Sequence, residues 1–353
     1  MPFRGGTYEN VFYVADTHAR GPQLSSDMIS LFPTWNTFTL VFPMAGKDHF
    51  RVLGILPKEY YHRKDIRFEE IAEQVKASLQ IPVEFYDTNW YSTYRLHYKK
   101  VDHFNKGNVF FAGDAAHVHS PAGGQGMNTG LQDAYNLGWK LALVAMGKAG
   151  TALLDTYHEE RNPIAERLLR TTDRAFNIMT GGSRLGSFIK MNVVPRVVPF
   201  FGKFSRMRRI WFAEVSQIKI NYRSSSLSKG KVGKIKSGDR FPHFLVSQGG
   251  RPVPVFHLIR DSNTRATPFL ILLYHLPEDE CGLADKELFT ILSLEVNEAN
   301  AATIKRMGFP RAFIALLRPD NYIGYISEKA DIGAINRFVQ SGYKVSNTAF
   351  PIC

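Results

Sequence analysis

Residues 113–140 read GDAAHVHSPAGGQGMNTGLQDAYNLGWK, and the rest of the chain is best understood outward from them. Just before them, 108–112 (NVFFA) is a short apolar run between Gly107 and Gly113, the pattern of a buried strand. The Gly113-Asp114 pair leads into a loop holding Pro121, Gly123, Gly124 and Gly126. Residues 128–146 then repeat with helical period, with Leu131, Ala134, Tyr135, Leu137, Gly138 and Leu141 as the expected apolar side. Strand, glycine turn and helix in this order put a carboxylate at the carboxyl end of a strand, where open α/β sheets place their ligands. Glycines lack a Cβ, so backbone amides can approach a flat ligand closely. The first turn of the helix adds unpaired N–H groups and the positive end of its dipole.

Spacing alone leaves the ligand open. Gly124, Gly126 and Gly130 follow GxGxxxG rather than the dinucleotide fingerprint GxGxxG, and glycine-rich strand-to-helix turns also occur without any ligand. His117 and His119 have no further His or carboxylate at ligand spacing, so they read as capping or core residues and no metal site is expected. Asp133, inside the helix, fits a solvated face equally well.

A chain of 353 residues with 44% hydrophobic residues excludes a disordered or collagen-like polypeptide and suggests roughly two domains. Cys281 and Cys353 are far apart and form no CxxC, which excludes a disulfide framework and a cysteine zinc site and points to a reducing compartment. The opening MPFRGGTYEN has no apolar signal core, and no apolar run is long enough to span a bilayer, so a cytoplasmic location is expected. The net charge of +12 is confined to 180–236, which holds 13 Lys or Arg and one acid, Glu214; the remainder balances at 31 of each sign. This is a neutral protein with a basic connector, for which solvated Lys and Arg on interdomain helices are expected rather than a nucleic-acid or membrane surface.

The first hundred residues read as β-rich. Residues 10–14, 36–43 and 50–56 suit strands, the last two flanking a hairpin loop AGKDH, and 90–98 suits another. Between them, Ile71, Val75 and Leu79 mark an amphipathic helix over 68–79. Residues 151–179 continue as helix with Pro163 inside, and 181–236 breaks into short helices ending in the Ser/Gly/Lys run SSSLSKGKVGKIKSGDRFP. Beyond it, 255–259, 269–274, 311–317 and 322–326 read as strands, 288–307 and 331–340 as helices, together a small α/β domain.

The run GDAAHVHSPAGGQGMNTGLQDAYNLGWKLA resembles the second flavin motif of the FAD-dependent aromatic-ring hydroxylases, the group A flavoprotein monooxygenases related to p-hydroxybenzoate hydroxylase and phenol hydroxylase. The Gly-Asp, Pro, Gly-Gln-Gly-Met-Asn and Asp-Ala-x-Asn-Leu elements are all present over about thirty consecutive positions. YHEERNP at 157–163 resembles the family's next helix, and SGDR at 237–240 the entry to its C-terminal domain. The resemblance implies an α/β fold with α+β elements: the C-terminal part of a p-hydroxybenzoate hydroxylase-like FAD and substrate domain (1–180, with a substrate sheet at 1–104 and the second flavin motif at 108–140), a basic helical connector (181–236), and a thioredoxin-like domain without CxxC (237–353).

By position, Asp114 and Gly113 resemble the pair that holds the ribityl chain of FAD. Gly124, Gly126, Met127 and Asn128 resemble the turn and helix start at the flavin pyrimidine edge, and Pro121 the proline beside the ring that borders the substrate. The activity implied is NAD(P)H-dependent hydroxylation of a phenol-like ring through a flavin hydroperoxide, with the cofactor carrying the chemistry and no catalytic side chain required. Phe38, Phe42 and Tyr94 are candidate substrate walls, with core packing as the competing role. The family's opening GxGxxG and its later Asp-Gly motif are missing from the 353 residues. The chain therefore resembles the C-terminal two-thirds of a hydroxylase, which suggests a truncated or split form that a separately encoded N-terminal half could complement; a homodimer is what the family resemblance implies. The competing reading is a non-catalytic remnant or assembly module.

Overall fold

The computed structural model describes residues 1–343 apart from 36, 64, 122–123, 181–186, 264–266, 277–287, 296 and 330; Gly123, Cys281 and Cys353 lie outside the described residues. In chain order the first elements are β1 (Phe3–Arg20), β2 (Ser30–Pro33), β3 (Phe38–Pro43), β4 (His49–Ile55), α1 (Phe68–Leu79), β5 (Glu84–Val101), β6 (Asn105–Lys106), β7 (Val109–Phe110), β8 (His117–Val118), α2 (Gly126–Ala145) and α3 (Asp155–Thr180). The chain divides into two compact units, one of Met1–Asp102, Asp114–Gly126 and Glu166–Val215, the other of His103–Gly113, Met127–Ala165 and Ser216–Cys353.

The first unit is built on a sheet of order β2-β3-β4-β1-β5-β8. Its pairings are antiparallel, and β3 and β4 form the hairpin expected around AGKDH. Side chains of a strand alternate between faces, so Tyr13, Ala15, Val41 and Val52 turn one way, toward Ile71, Val75 and Leu79 of α1. Phe12, Phe38, Leu40, Leu53 and Tyr94 turn the other way, with Tyr8 and Phe176. Helix α1 covers the predicted span; Glu70 accepts from the Arg67 N–H at 3.0 Å at its start, and Gln80 ends it in the left-handed region at φ 56°. The basic stretch forms a π-helical turn (Ile189–Val193) and helices Val194–Gly202 and Ser205–Val215, short pieces between breaks as its prolines suggest.

The second unit centres on a four-stranded sheet ordered Phe289–Leu294, Phe269–Tyr274, Phe313–Leu317, Ile323–Ser327, the first pair parallel and the others antiparallel. All six residues of Phe269–Tyr274 are buried. Phe269, Ile271 and Leu273 pack into one cluster with Trp139, Leu143 and Leu153, while Leu270, Leu272 and Tyr274 enter another with Val255 and Ile259.

Three local expectations are corrected. Residues 255–259 open a helix, Val255–Asn263, in which Val255, Leu258 and Ile259 fall at i, i+3 and i+4 on one face. Of 288–307, Phe289–Leu294 is a strand and helix begins only at Glu298, where the Asn297 side chain caps the Asn300 N–H. Residues 108–112 are no buried strand: β7 holds only Val109–Phe110, pairs in a two-stranded sheet with β6, and leaves Val109 59% exposed, because a single two-residue neighbour covers neither of its faces.

Candidate functional site

Gly113 turns the chain at φ +56° into a short 3₁₀ turn, Gly113–Ala115, and its N–H donates to Asp133 Oδ2 at 3.1 Å. A Cβ on Gly130 would lie 3.3 Å from the Gly113 Cα, so two glycines let the turn rest directly on α2. Asp114 follows with its side chain exposed.

The segment Asp114–Gly126 belongs to the first unit. His117 lies in β8 opposite Lys100 and is buried, so its core role stands. Ser120 is also buried, its hydroxyl donating to the Thr172 carbonyl at 3.3 Å. Pro121 is exposed and its carbonyl accepts from the Gly124 N–H at 2.9 Å, closing a turn. Gly124 takes φ +62°, and a Cβ there would meet no atom within 4 Å. The backbone at Gly124 is thus open to a neighbour and shaped for glycine. Gly126 starts α2; a Cβ on it would stand 3.4 Å from His119 Nε2. Beyond Gly126, Met127 is 76% exposed and Asn128 half-buried in the first helical turn.

His119 fixes its own tautomer. Its Nδ1 lies 2.7 Å from the Ser120 carbonyl, which can only accept, so Nδ1 carries the proton and Nε2 is a lone pair. Burial pushes the imidazole below the usual histidine range. Nε2 is buried and has no partner among the described residues. Within the first unit, an open Gly124 and a buried acceptor at His119 that no described residue meets fit a planar ligand that carries a donor; the exposed Asp114 fits a hydroxylated one.

Of the expected apolar side of α2, only Leu137 is buried. Leu131 is 62% exposed, and Tyr135 and Leu141 are also exposed. The buried stripe is Thr129, Asp133, Asn136, Leu137, Lys140 and Leu143, the true helical face at steps of three and four. Asp133 is therefore no solvated residue: it accepts from Arg161 Nε at 2.7 Å, and Arg161 also donates to Tyr222 Oη and to the Thr129 carbonyl. Beside it, Glu160 accepts from Lys140, Asn136, Ser225 and both terminal nitrogens of Arg318. Arg318 also grips Asp320, which accepts from Trp139 Nε1. Burial pushes Lys140 down to about 8, and burial alone would raise Glu160, but Arg318 and Lys140 outweigh it and hold the carboxyl well below its usual range. Sequence reasoning missed this network; its signal was the pair Glu160-Arg161 facing a polar 133/136/140 stripe.

Phe38 and Tyr94 both enter the aromatic cluster around Phe12, whose ring stands 6.5 and 6.0 Å from theirs. Phe42 shares their face four residues along β3, half-buried, in a row Phe42, Arg51, Asp16, Trp90 across four strands. In that row Asp16 accepts from His49, Asn89 and Arg51 at 2.6, 3.0 and 2.9 Å. None of the three aromatics lines the cavity of about 650 Å³ bounded by Tyr13, Thr39, Lys58, Gln74 and Ser78. Among the described residues, no group of three His, Cys, Asp or Glu could hold a metal, and no helix is long and apolar enough to cross a membrane.

The model of a family described as an FAD binding domain matches residues 3–172, which include the whole glycine turn. Over 354 aligned residues the chain is 31% identical to the pentachlorophenol 4-monooxygenase of Sphingobium chlorophenolicum, covering 92% of this chain and 61% of that protein. Over most of its length the chain is thus similar to FAD-dependent aromatic monooxygenases. It is also 30% identical to the 6-methylpretetramide 4-monooxygenase of Streptomyces rimosus, over 77% of this chain and 51% of that one. Among solved structures, the aromatic hydroxylase CabE from angucycline biosynthesis superposes with a TM-score of 0.70 at 25% identity, over 98% of this chain and 66% of that one. The fold is accordingly that of the p-hydroxybenzoate hydroxylase-like enzymes, and the chain spans about half to two thirds of the length of these hydroxylases.

Proposed function

We propose that this chain binds FAD and serves the NAD(P)H-dependent hydroxylation of an aromatic, phenol-like substrate. The observation that carries the reading is the turn at 113–126, where glycine geometry, an exposed carboxylate and an unanswered buried acceptor all suit a flat, hydroxylated cofactor. FAD, when bound, supplies oxygen activation and hydroxyl transfer to the ring. Asp114 accepts hydrogen bonds from ribityl hydroxyls. The backbone N–H groups of Met127 and Asn128, at the start of α2 where no preceding turn receives them, stabilise negative charge at the pyrimidine edge. Gly113 and Gly124 admit the cofactor without steric conflict, and Pro121 borders the ring while offering no N–H of its own. Phe38 and Tyr94, in the aromatic cluster around Phe12, would form an apolar wall that excludes water from the reacting ring, with Phe42 farther along the same face of β3. No side chain of this chain is assigned as nucleophile, acid or base.

The three-part division at 180 and 236 belongs to the same reading. The sheet order of the second unit, with one parallel and two antiparallel pairs and a helix Ile332–Gly342 after the last strand, supports a thioredoxin-like C-terminal domain. Since the sequence has no CxxC, that domain serves packing or assembly rather than disulfide exchange. Gel filtration after incubation with FAD tests the reading: yellow absorbance and quenched flavin fluorescence should travel with the protein. Colourless protein with all flavin in the late fractions would overturn it.

A further inference from the structure

We propose that His119 is a cofactor-positioning residue that accepts, at Nε2, a hydrogen bond from the imide N3–H of the flavin ring; this rests on the FAD reading above. The argument starts from the hydrogen count. Nδ1 faces the Ser120 carbonyl at 2.7 Å, so the ring's one proton is committed there as long as the imidazole is neutral. Neutrality has a cause: burial disfavours the cation, and the nearby His117 ring opposes it too, while the Ser120 carbonyl and the Asp114 carboxylate pull the other way without prevailing. What is left is a bare acceptor, buried and unanswered by any described residue.

Its location selects the partner. Nε2 stands 3.4 Å from where a Cβ on Gly126 would be, an ordinary contact distance, so the first residue of α2 lies directly beside this buried acceptor. A purely accepting ligand such as a phosphate or a carboxylate is repelled there. The oxidised isoalloxazine ring carries acceptors at N1, O2 and O4 and a single donor, N3–H. N3–H is therefore the one group of that edge which the His119 lone pair can meet.

The test uses the full chain loaded with FAD and reads the alkaline deprotonation of flavin N3 by its absorbance change, in the wild type, His119→Phe and His119→Gln. An acceptor opposite N3–H favours the protonated flavin, so the wild type should hold that proton to higher pH than His119→Phe. His119→Gln, whose amide oxygen also accepts, should lie near the wild type. On the wild type alone, N3-methyl FAD, which lacks the donor, should bind at least about tenfold more weakly than FAD. Identical N3 titrations in the wild type and His119→Phe, or equal binding of the two flavins by the wild type, would overturn the proposal while leaving FAD binding in place. A wild type that takes up no flavin at all overturns the FAD reading and this inference with it.

Discussion

In the second unit, Asp133, Lys140, Glu160, Arg161, Arg318 and Asp320 are buried together, and each answers another through charge-assisted hydrogen bonds. At the glycine turn of the first unit, Asp114 stands exposed and His119 keeps a buried acceptor that no described residue meets. The contrast separates two uses of polarity. A saturated network spends all its valences on holding the backbone and has nothing left to offer a ligand. An unsaturated one is expensive to keep unless something else completes it, and so it marks a place where a ligand binds. The Asp16 cluster on the sheet stands between the two, with Asp16 buried but Arg51 and His49 partly in solvent.

The contrast breaks first at Arg318. Arg318→Met leaves Glu160 and Asp320 buried without their main cation and should cost about 3–5 kcal/mol in a denaturant titration; a loss below about 1 kcal/mol would mean the network is no scaffold. Next, Leu143→Ala on the buried stripe of α2 should cost about 2–4 kcal/mol through transfer and cavity terms. Asp16→Asn should cost about 1–3 kcal/mol, because it removes the charge that three donors address.

The same cluster sets a pH window. For Asp16, burial alone would raise the carboxyl, but hydrogen bonds from Asn89, His49 and Arg51 hold it well below the usual range. Its contribution is therefore present above the unfolded value of about 3.9 and is lost as pH falls through the lowered one. His49 is raised, first by its hydrogen bond to Asp16, so its contribution is complete below about 6.5 and is lost as pH rises through the raised value. Melting temperature against pH should fall above neutrality in the wild type more steeply than in His49→Asn; parallel curves would contradict this. Smallest of all, Leu131→Gln on the exposed side of α2 should change stability by no more than about 0.5 kcal/mol.

The sequence made local features legible. The span of α1, the β3–β4 hairpin and the six buried residues of Phe269–Tyr274 depend on near neighbours, and each was readable from periodicity or an apolar run. The glycine turn was legible because its residue types are constrained at almost every position. What stayed hidden depends on distant partners. Asp133 and Lys140 look like surface residues until Arg161, Glu160 and Arg318 are brought beside them, the last from 178 positions beyond Lys140. That reversal also misled the reading of α2, whose apolar Leu131 and Tyr135 face out while its charges face in. Short apolar runs such as 255–259 and 289–294 fit either period, and only packing decides between them. Nor could composition foretell that a hydrogen bond to Ser120 would leave the His119 Nε2 without a partner among the described residues.

The central claim is that the turn at 113–126 is a ligand site and not part of the scaffold. The most direct measurement is a flavin-fluorescence titration of the wild type and Asp114→Ala with FAD, paired with thermal melts of both without FAD. The account predicts an unchanged melting temperature, because Asp114 is exposed, and at least about a tenfold loss of FAD affinity in the variant. Equal affinities, or a clearly lowered melting temperature in the variant without FAD, would contradict the assignment of this carboxylate to a cofactor.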